Sequence, residues 1–417
     1  MRVLVVSLIM AANTLFAQTD AAKPLEAFKV EHSVVSAAVV QELAGLKNGQ
    51  PINKSVIDEA CQRLGQTALF SNVQYRYLPG PNHGYILTLD LQDETDLTAA
   101  IVDIPFVDGE EVWKWLGARY PTLQHKIPKA DSGQDFVANE ISAHVATALD
   151  GGKVVIRQQS DLATRRNIIL LQPENLPHIA SMEFTGVKEL TSDQIAGIIR
   201  DTMKDGGFTD YNIRMFLEDA VRRAYEEHGL YRVQFPKVTA TPAGKLLVNV
   251  KGEVVEGAQF RLGNVNIMGG PEVPVADMIK AAKFKTGELA NWRDIQQSIV
   301  AIQKPMMRIG YKDAQYKTNR ILDDGKKELN LEIPVQLGPL YHFGQVTFQG
   351  LAPDADAKAH QIWKKKPGEV YDPFYVSDFA GEFVQAIHAD KVRAEPKEQV
   401  DGDHVVDLSV TFKKQTK

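Results

Sequence analysis

Glu256-Gly257, then Phe260, then Gly263-Asn264-Val265-Asn266-Ile267-Met268-Gly269 returns further along the chain as Leu337-Gly338, Tyr341 and Gly344-Gln345-Val346-Thr347-Phe348-Gln349-Gly350. Gly257 and Gly338 lie 81 positions apart, as do Gly263 and Gly344, Gly269 and Gly350, and Gly287 and Gly368. Four glycines in one register mark an internal repeat, and a repeat decides the fold before any local pattern does. Glycine at fixed points implies a backbone that turns where a Cβ would clash. Phe184-Thr185-Gly186 matches Ile267-Met268-Gly269 at an offset of 83. The period is thus about 80 residues, and about five such repeats fill most of the chain.

Each repeat carries the same sequence of elements. A short alternating strand comes first, with Met182 and Phe184, Val265 and Ile267, or Val346 and Phe348 on one face. A first helix follows, such as Ser192 to Met203, and then a turn containing glycine, Gly207 in the third repeat. The second helix of that repeat presents Ile213, Phe216, Leu217, Ala220, Val221, Ala224 and Tyr225 at helical spacing, the mark of one buried face. Gly229 and Gly310 sit where a left-handed cap would let the chain reverse. Two hairpin strands close the unit, for example Tyr231 to Thr239 with Lys245 to Val255, or Val73 to Tyr77 with Tyr85 to Leu91. The expected fold class is α+β: tandem β-α-α-β-β domains, each a three-stranded mixed sheet on two helices, in an elongated array. The expected boundaries are 25–95, 96–175, 176–257, 258–338 and 339–417, the second repeat being the most divergent.

Composition excludes other classes. The formal net charge is -6, from 47 basic and 53 acidic side chains, with no long basic run, so nucleic acid is not an expected partner. The only cysteine, Cys61, allows no internal disulfide and falls among helically spaced apolar residues. Arg2 followed by the apolar run Val3 to Met10, with Leu15-Phe16-Ala17 before Gln18, reads as a secretory signal over 1–17, the alternative being a buried first helix. His-Glu-x-x-His, Gly-x-Ser-x-Gly and the phosphate-cradling glycine loop are all missing from the sequence, and the histidines are scattered. No catalytic residue, metal ligand, cofactor or small-molecule substrate is therefore expected.

In this order of elements the chain resembles tandem polypeptide-transport-associated (POTRA) domains. The residues that carry the resemblance are Phe184-Thr185-Gly186, Gly207-Phe208, Gly229-Leu230-Tyr231 and Val254-Val255-Glu256-Gly257. Gly45 to Pro51 and Thr67 to Val73 in the first repeat add to it. The resemblance runs from about residue 25 to the end. Such arrays precede a transmembrane barrel in outer-membrane insertion and secretion proteins. No run of roughly ten-residue alternating strands follows here, so a POTRA-only protein and a partial chain both stay open. The resemblance implies a periplasmic place, with peripheral association at the outer membrane. It implies as partners unfolded outer-membrane polypeptides or a barrel-type outer-membrane protein.

A small sheet has two borders with unpaired backbone groups, and an extended peptide can add there as a further strand. Pro236 and Pro396 point to the second strand as a border, since proline lacks a ladder donor. The candidate docking residues are therefore Tyr231, Val233 and Phe235 in the third repeat and Val73, Tyr75 and Tyr77 in the first. Proline blunting that border against aggregation is the alternative. A structural adaptor that never touches client chains is the alternative to a polypeptide-binding module.

Overall fold

A computed structural model of the chain describes residues 21–160, 167–203, 206–387 and 392–414; the signal expected over 1–17 lies outside them. Among the described residues five sheets succeed one another. The first holds β1 (Lys23–Glu31), β2 (Pro51–Ile52), β3 (Phe70–Pro79) and β4 (Tyr85–Asp93) in the order β2-β1-β4-β3. The second holds β5 (Leu97–Val102), β6 (Lys126–Pro128), β7 (Val154–Ser160) and β8 (Asn167–Pro173) in the order β6-β5-β8-β7. In the third, β9 (His178–Thr185), β10 (Gln234–Gly244) and β11 (Leu247–Val255) run β10-β11-β9. In the fourth, β12 (Arg261–Met268), β13 (Gln315–Tyr316), β14 (Asn319–Asp323) and β15 (Glu328–Gln336) are arranged with β15 between β12 and both β13 and β14. The fifth is β16 (His342–Gln349), β17 (Val392–Val400) and β18 (Val405–Lys414), ordered β16-β18-β17.

Two helices, the second of them divided in the third and fourth modules, stand between the first strand and the hairpin of each sheet. They are α1 (Ala37–Ala44) and α2 (Lys54–Gln66) in the first module, α3 (Gly109–Arg119) and α4 (Asp131–His144) in the second. The third has α5 (Ser192–Met203) and a composite second helix, α6 (Asp210–Phe216) and α7 (Arg222–Glu227) joined by a π turn over Leu217–Val221. The fourth has α8 (Val275–Ala282), then α9 (Trp292–Ala301) and α10 (Gln303–Arg308). The fifth has α11 (Pro353–Ile362) and α12 (Tyr375–Ala386). The last strand is interior to every sheet, and in the first, second, fourth and fifth it pairs parallel with the first, as in Val30↔Leu89, Ile101↔Leu170, Ile267↔Ile333 and Phe348↔Val410.

Four details differ from the sequence reading. First, β2 and β6 add a fourth strand to the first two sheets; strands of two or three residues are too short to show alternation. Second, Pro334 lies in the central strand β15, not at a border. Having no N–H, it cannot return the bond that Lys317 N–H makes to its carbonyl at 3.2 Å, and the border strand is interrupted there between β13 and β14. Third, Gly263 and Gly344 do not turn the chain, and Gly207 and Gly269 are not left-handed either. Gly263 and Gly344 sit in β-bulges, where the register slips between Leu262 and Val265 and between Phe343 and Val346. The freed amides of Asn264 and Gln345 donate to Asn330 Oδ1 at 2.7 Å and Asp407 Oδ1 at 2.6 Å, side chains that a Cβ on either glycine would strike. Fourth, Tyr231 and Val233 precede β10, which starts at Gln234. Gly229 is left-handed and Leu230 N–H bonds back to the Tyr225 carbonyl, so the chain spends these residues leaving the helix.

The π turn has a cause in the repeat. The buried apolar residues of the third module's second helix are Ile213, Leu217, Val221 and Tyr225; those of the fourth are Ile295, Ile299, Ile302 and Met306. The first set spans twelve positions and the second eleven. At 3.6 residues per turn, twelve positions carry a side chain about 120° past its starting direction and eleven only about 20°. The third module has one residue too many for an α-helix to keep this face inward, and the π turn absorbs it.

The chain divides into two compact units. One comprises Met1–Ser181, Met203–Met215 and Ala240–Val250, the other Met182–Thr202, Phe216–Thr239 and Lys251–Lys417. In the first unit, a single apolar core runs from Leu25 to Leu171 through both of the first two modules. In the second unit, one core gathers around Phe260, Met278, Ile302 and Leu331, and another, rich in aromatics, around Phe343, Tyr371, Phe379, Phe383 and Phe412. Successive modules of this unit are joined by one repeated bond: Phe260 N–H to Gly229 O and, 81 residues on, Tyr341 N–H to Gly310 O, each 2.9 Å.

Candidate strand-docking borders

In the first, fourth and fifth modules the border beside the first strand is covered in the same way, by the turn between the two helices. Leu25 N–H donates to Gln50 O and Gly49 N–H to Leu25 O, both 2.8 Å. In the fourth module the pairs are Leu262 with Glu288 and Gly287, at 2.9 and 2.7 Å; in the fifth they are Phe343 with Glu369 and Gly368, both 2.7 Å. Gly49, Gly287 and Gly368 have φ of 81, 83 and 87°, a left-handed conformation that bends this turn back onto the strand. Both backbone groups of the residue where another strand would start are thus already bonded.

The border beside the second strand differs. Among the described residues, β3, β7, β10 and β17 each end their sheet's order, and β13 and β14 pair with β15 alone. Antiparallel bonding alternates, so one bond fixes which groups face out. Gly80 N–H bonds to Gly84 O at 2.8 Å, in register with β3 and β4. The backbone groups of Asn72, Gln74, Arg76 and Leu78 therefore face β4, and those of Val73, Tyr75 and Tyr77 face outward. In β17, the bond from Asp401 N–H to Val405 O at 3.1 Å places Pro396 at an outward position, where its missing N–H removes one donor from the border.

Side chains decide how accessible each border is. In the first module Tyr75 reaches from β3 to α2, donating from its hydroxyl to Asp58 Oδ1 at 2.8 Å and stacking on Tyr77. Burial, then the Asp58 carboxylate, pushes the Tyr75 hydroxyl pKa up; Lys54, then Tyr75, holds the Asp58 carboxyl below its usual range. Cys61 is half-buried nearby, its thiol pushed up to about 11 by burial and Asp58, so it stays protonated.

In the third module the candidate side chains are turned inward. Val233 is buried, and its carbonyl already accepts from Arg222 Nη1 at 2.9 Å. The same guanidinium pairs with Glu218 and lies 5.9 Å from the centre of the buried Phe235 ring. Tyr231 belongs to the fourth module's core, with its hydroxyl on Ala290 O at 2.7 Å and its ring edge-on to Phe260 and Trp292. It is accompanied there by the buried carboxylate of Glu226, which meets Arg320 Nη1 at 2.9 Å while that guanidinium stacks on Trp292.

In the fourth module an open groove of about 660 Å³ lies between α9 and the interruption of the border strand, lined by Trp292, Arg293, Gln296, Gln297, Ile299, Val300 and Thr318. Sequence reasoning did not single it out, because it depends on which face of α9 is left uncovered. Nor did it find Glu31, His32 and Asp90, whose ligand atoms lie within 4.8 Å of one another although Asp90 is 58 positions from His32. These groups already have partners: Arg76 holds Glu31, and Asp90 holds His32 at 2.7 Å.

The element order, parallel first-to-last strand pairing and helix pair define POTRA-like modules, and the chain resembles the tandem POTRA arrays of outer-membrane barrel-assembly and translocation proteins. No protein-family model matches it. A Treponema pallidum (strain Nichols) protein described as "Putative outer membrane protein assembly factor" is 21% identical over 379 residues, covering 85% of this chain and 44% of that protein. This chain therefore spans less than half the length of that relative. Among solved structures, POTRA domains 3–5 of Haemophilus influenzae BamA are 20% identical, with 57% of this chain and 96% of that one covered at a TM-score of 0.35. The N-terminal domain of Omp85 from Thermosynechococcus elongatus is 17% identical, with 58% and 98% covered at 0.25. The assignment of the fold rests on the order and pairing of this chain's own strands, not on those superpositions. Among the described residues no helix is long and apolar enough to cross a membrane.

Proposed function

We propose that the chain is a non-catalytic, polypeptide-binding array of the bacterial periplasm, serving outer-membrane protein assembly or secretion, and that it holds extended segments of client chains by strand addition. Five POTRA-like domains, 25–95, 96–175, 176–257, 258–338 and 339–417, make up this array in our reading. The observation that carries the proposal is the asymmetry of the borders. In the first, fourth and fifth modules the inter-helix turn occupies the first-strand border, whereas the second-strand border keeps outward backbone groups such as those of Val73, Tyr75 and Tyr77. Backbone bonding asks little of client sequence, which suits clients rich in strand-forming segments.

A second reading, a structural adaptor that binds only a folded partner, is favoured by the core shared between the first two modules and by the repeated joint bond. The two are separated by mixing the purified chain with a urea-unfolded barrel protein diluted into buffer, and following complex formation by fluorescence anisotropy. Strand addition expects binding that a short peptide of alternating apolar and polar residues competes away. Binding to the refolded barrel alone, with no competition by the peptide, would support the adaptor.

A further inference from the structure

Resting on that strand-addition reading, we propose that the fourth module is the selective dock of the array: an extended segment adds to its border strand and places one large apolar side chain in the groove beside α9. The geometry of the strand leads there. Lys317 N–H bonds to Pro334 O, so Lys317, Asn319 and Ile321 turn their backbone groups toward β15, while Thr318, Arg320 and Leu322 turn theirs outward. Tyr316 and Leu322 pack on the core and Arg320 reaches Trp292, so this alternate set carries its side chains on the helix side; Ile321, of the other set, is exposed. Residues directly opposite in an antiparallel pair project to the same face. A strand added along this border therefore sends the residue facing Thr318 toward the helices, into the groove that Thr318 itself lines.

The walls of the groove suit an apolar side chain. Val300 is 63% exposed although it is a large hydrophobic residue on a helix, and Trp292 and Ile299 continue the same surface. The groove opens to solvent, which fits a side chain held from a neighbouring backbone better than a free small molecule needing enclosure on most sides. The repeat supplies the contrast. Up to Leu217, where the π turn begins, the third and fourth modules align at an offset of 82, and with the extra residue placed at Ala220, inside that turn, Val300 corresponds to Glu218. Glu218 is paired with Arg222, whose guanidinium also occupies the Val233 carbonyl at the start of that border. The equivalent surface is thus apolar and open in the fourth module, and carries a charged pair in the third. In the first module Tyr75 bridges the border strand to α2.

The test uses the full chain and fluorescein-labelled decapeptides of alternating threonine and valine that carry either phenylalanine or serine at one central position. The phenylalanine peptide is expected to bind at least about ten-fold more tightly, as burial of one aromatic side chain implies. Val300→Glu is expected to abolish this difference and to leave the affinity of the serine peptide within about two-fold. The thermal midpoint of this variant should match the parent, since the side chain is exposed. Gln296→Trp, which fills the groove, should act in the same direction. Equal binding of the two peptides, or a preference untouched by both variants, overturns the dock while leaving strand addition in place. No binding of either peptide by the unaltered chain overturns both.

Discussion

The third and fourth modules share one order of elements and one sequence register, yet they treat the seam between second helix and border strand in opposite ways. The third fits an extra residue with a π turn and covers the seam with Glu218, Arg222 and the buried Phe235. The fourth keeps the shorter spacing and leaves Trp292, Val300 and Thr318 around an open groove. One repeat can thus carry a fixed scaffold and a variable surface, because the buried positions tolerate only volume-conserving change while the seam does not enter the core.

The largest expected effect breaks this comparison at its root. Deleting Gln297 from α9 shortens the buried spacing of the fourth module to ten positions and turns the following face away from the core. Deleting Ala220 from the π turn gives the third module the fourth's spacing of eleven. Chemical denaturation should show the first deletion costing at least about 3 kcal/mol and the second much less. The reverse ranking would refute the account of the π turn. Next comes Arg320→Met, which strands the buried Glu226 carboxylate; the expected cost is about 2–3 kcal/mol, discounted because Arg320 is 40% exposed. Adding Glu226→Leu should recover most of it, and no recovery would mean that the loss comes from packing on Trp292 instead. Arg222→Gln should cost about 1 kcal/mol and speed hydrogen exchange at the start of β10, where its bond to Val233 O is lost. The smallest effect is Tyr75→Phe, about 0.5 kcal/mol. It should also raise the pH at which Asp58 titrates. Because the Asp58 carboxyl is held low in the folded chain, its contribution is present above the ordinary carboxylate range and fades as the pH falls through its lowered value. A titration of Asp58 by NMR that did not move in this variant would remove Tyr75 as one of the causes.

The repeat, the element order and the position of the second strand at a border were legible because they depend on patterns that recur: four glycines at an offset of 81, alternation in β15 and β18, and Pro236 and Pro396. What escaped depends on events without a period. The strands β2 and β6 are too short to alternate. Tyr231 and Val233 look like strand residues by composition, but a left-handed Gly229 sends Tyr231 into the core ahead. Gly263 and Gly344 share the register of the turning glycines while serving bulges, since both uses require the missing Cβ. The groove of the fourth module could have been glimpsed in the sequence by aligning the second helices and noting Val300 where the third module has Glu218, but only the fold shows that this position borders a strand. A single core shared by the first two modules has no counterpart in any local pattern.

Amide hydrogen exchange followed by NMR, with and without an alternating apolar–polar peptide, tests strand addition most directly. The account expects newly protected amides at every second residue of a border strand: Val73, Tyr75 and Tyr77 in β3, or Arg320 and Leu322 in β14 together with Thr318 just before it, with their inward-facing neighbours unchanged. Peptide that binds while those amides exchange as before, or protection that falls along β1, β12 or β16 instead, would contradict it.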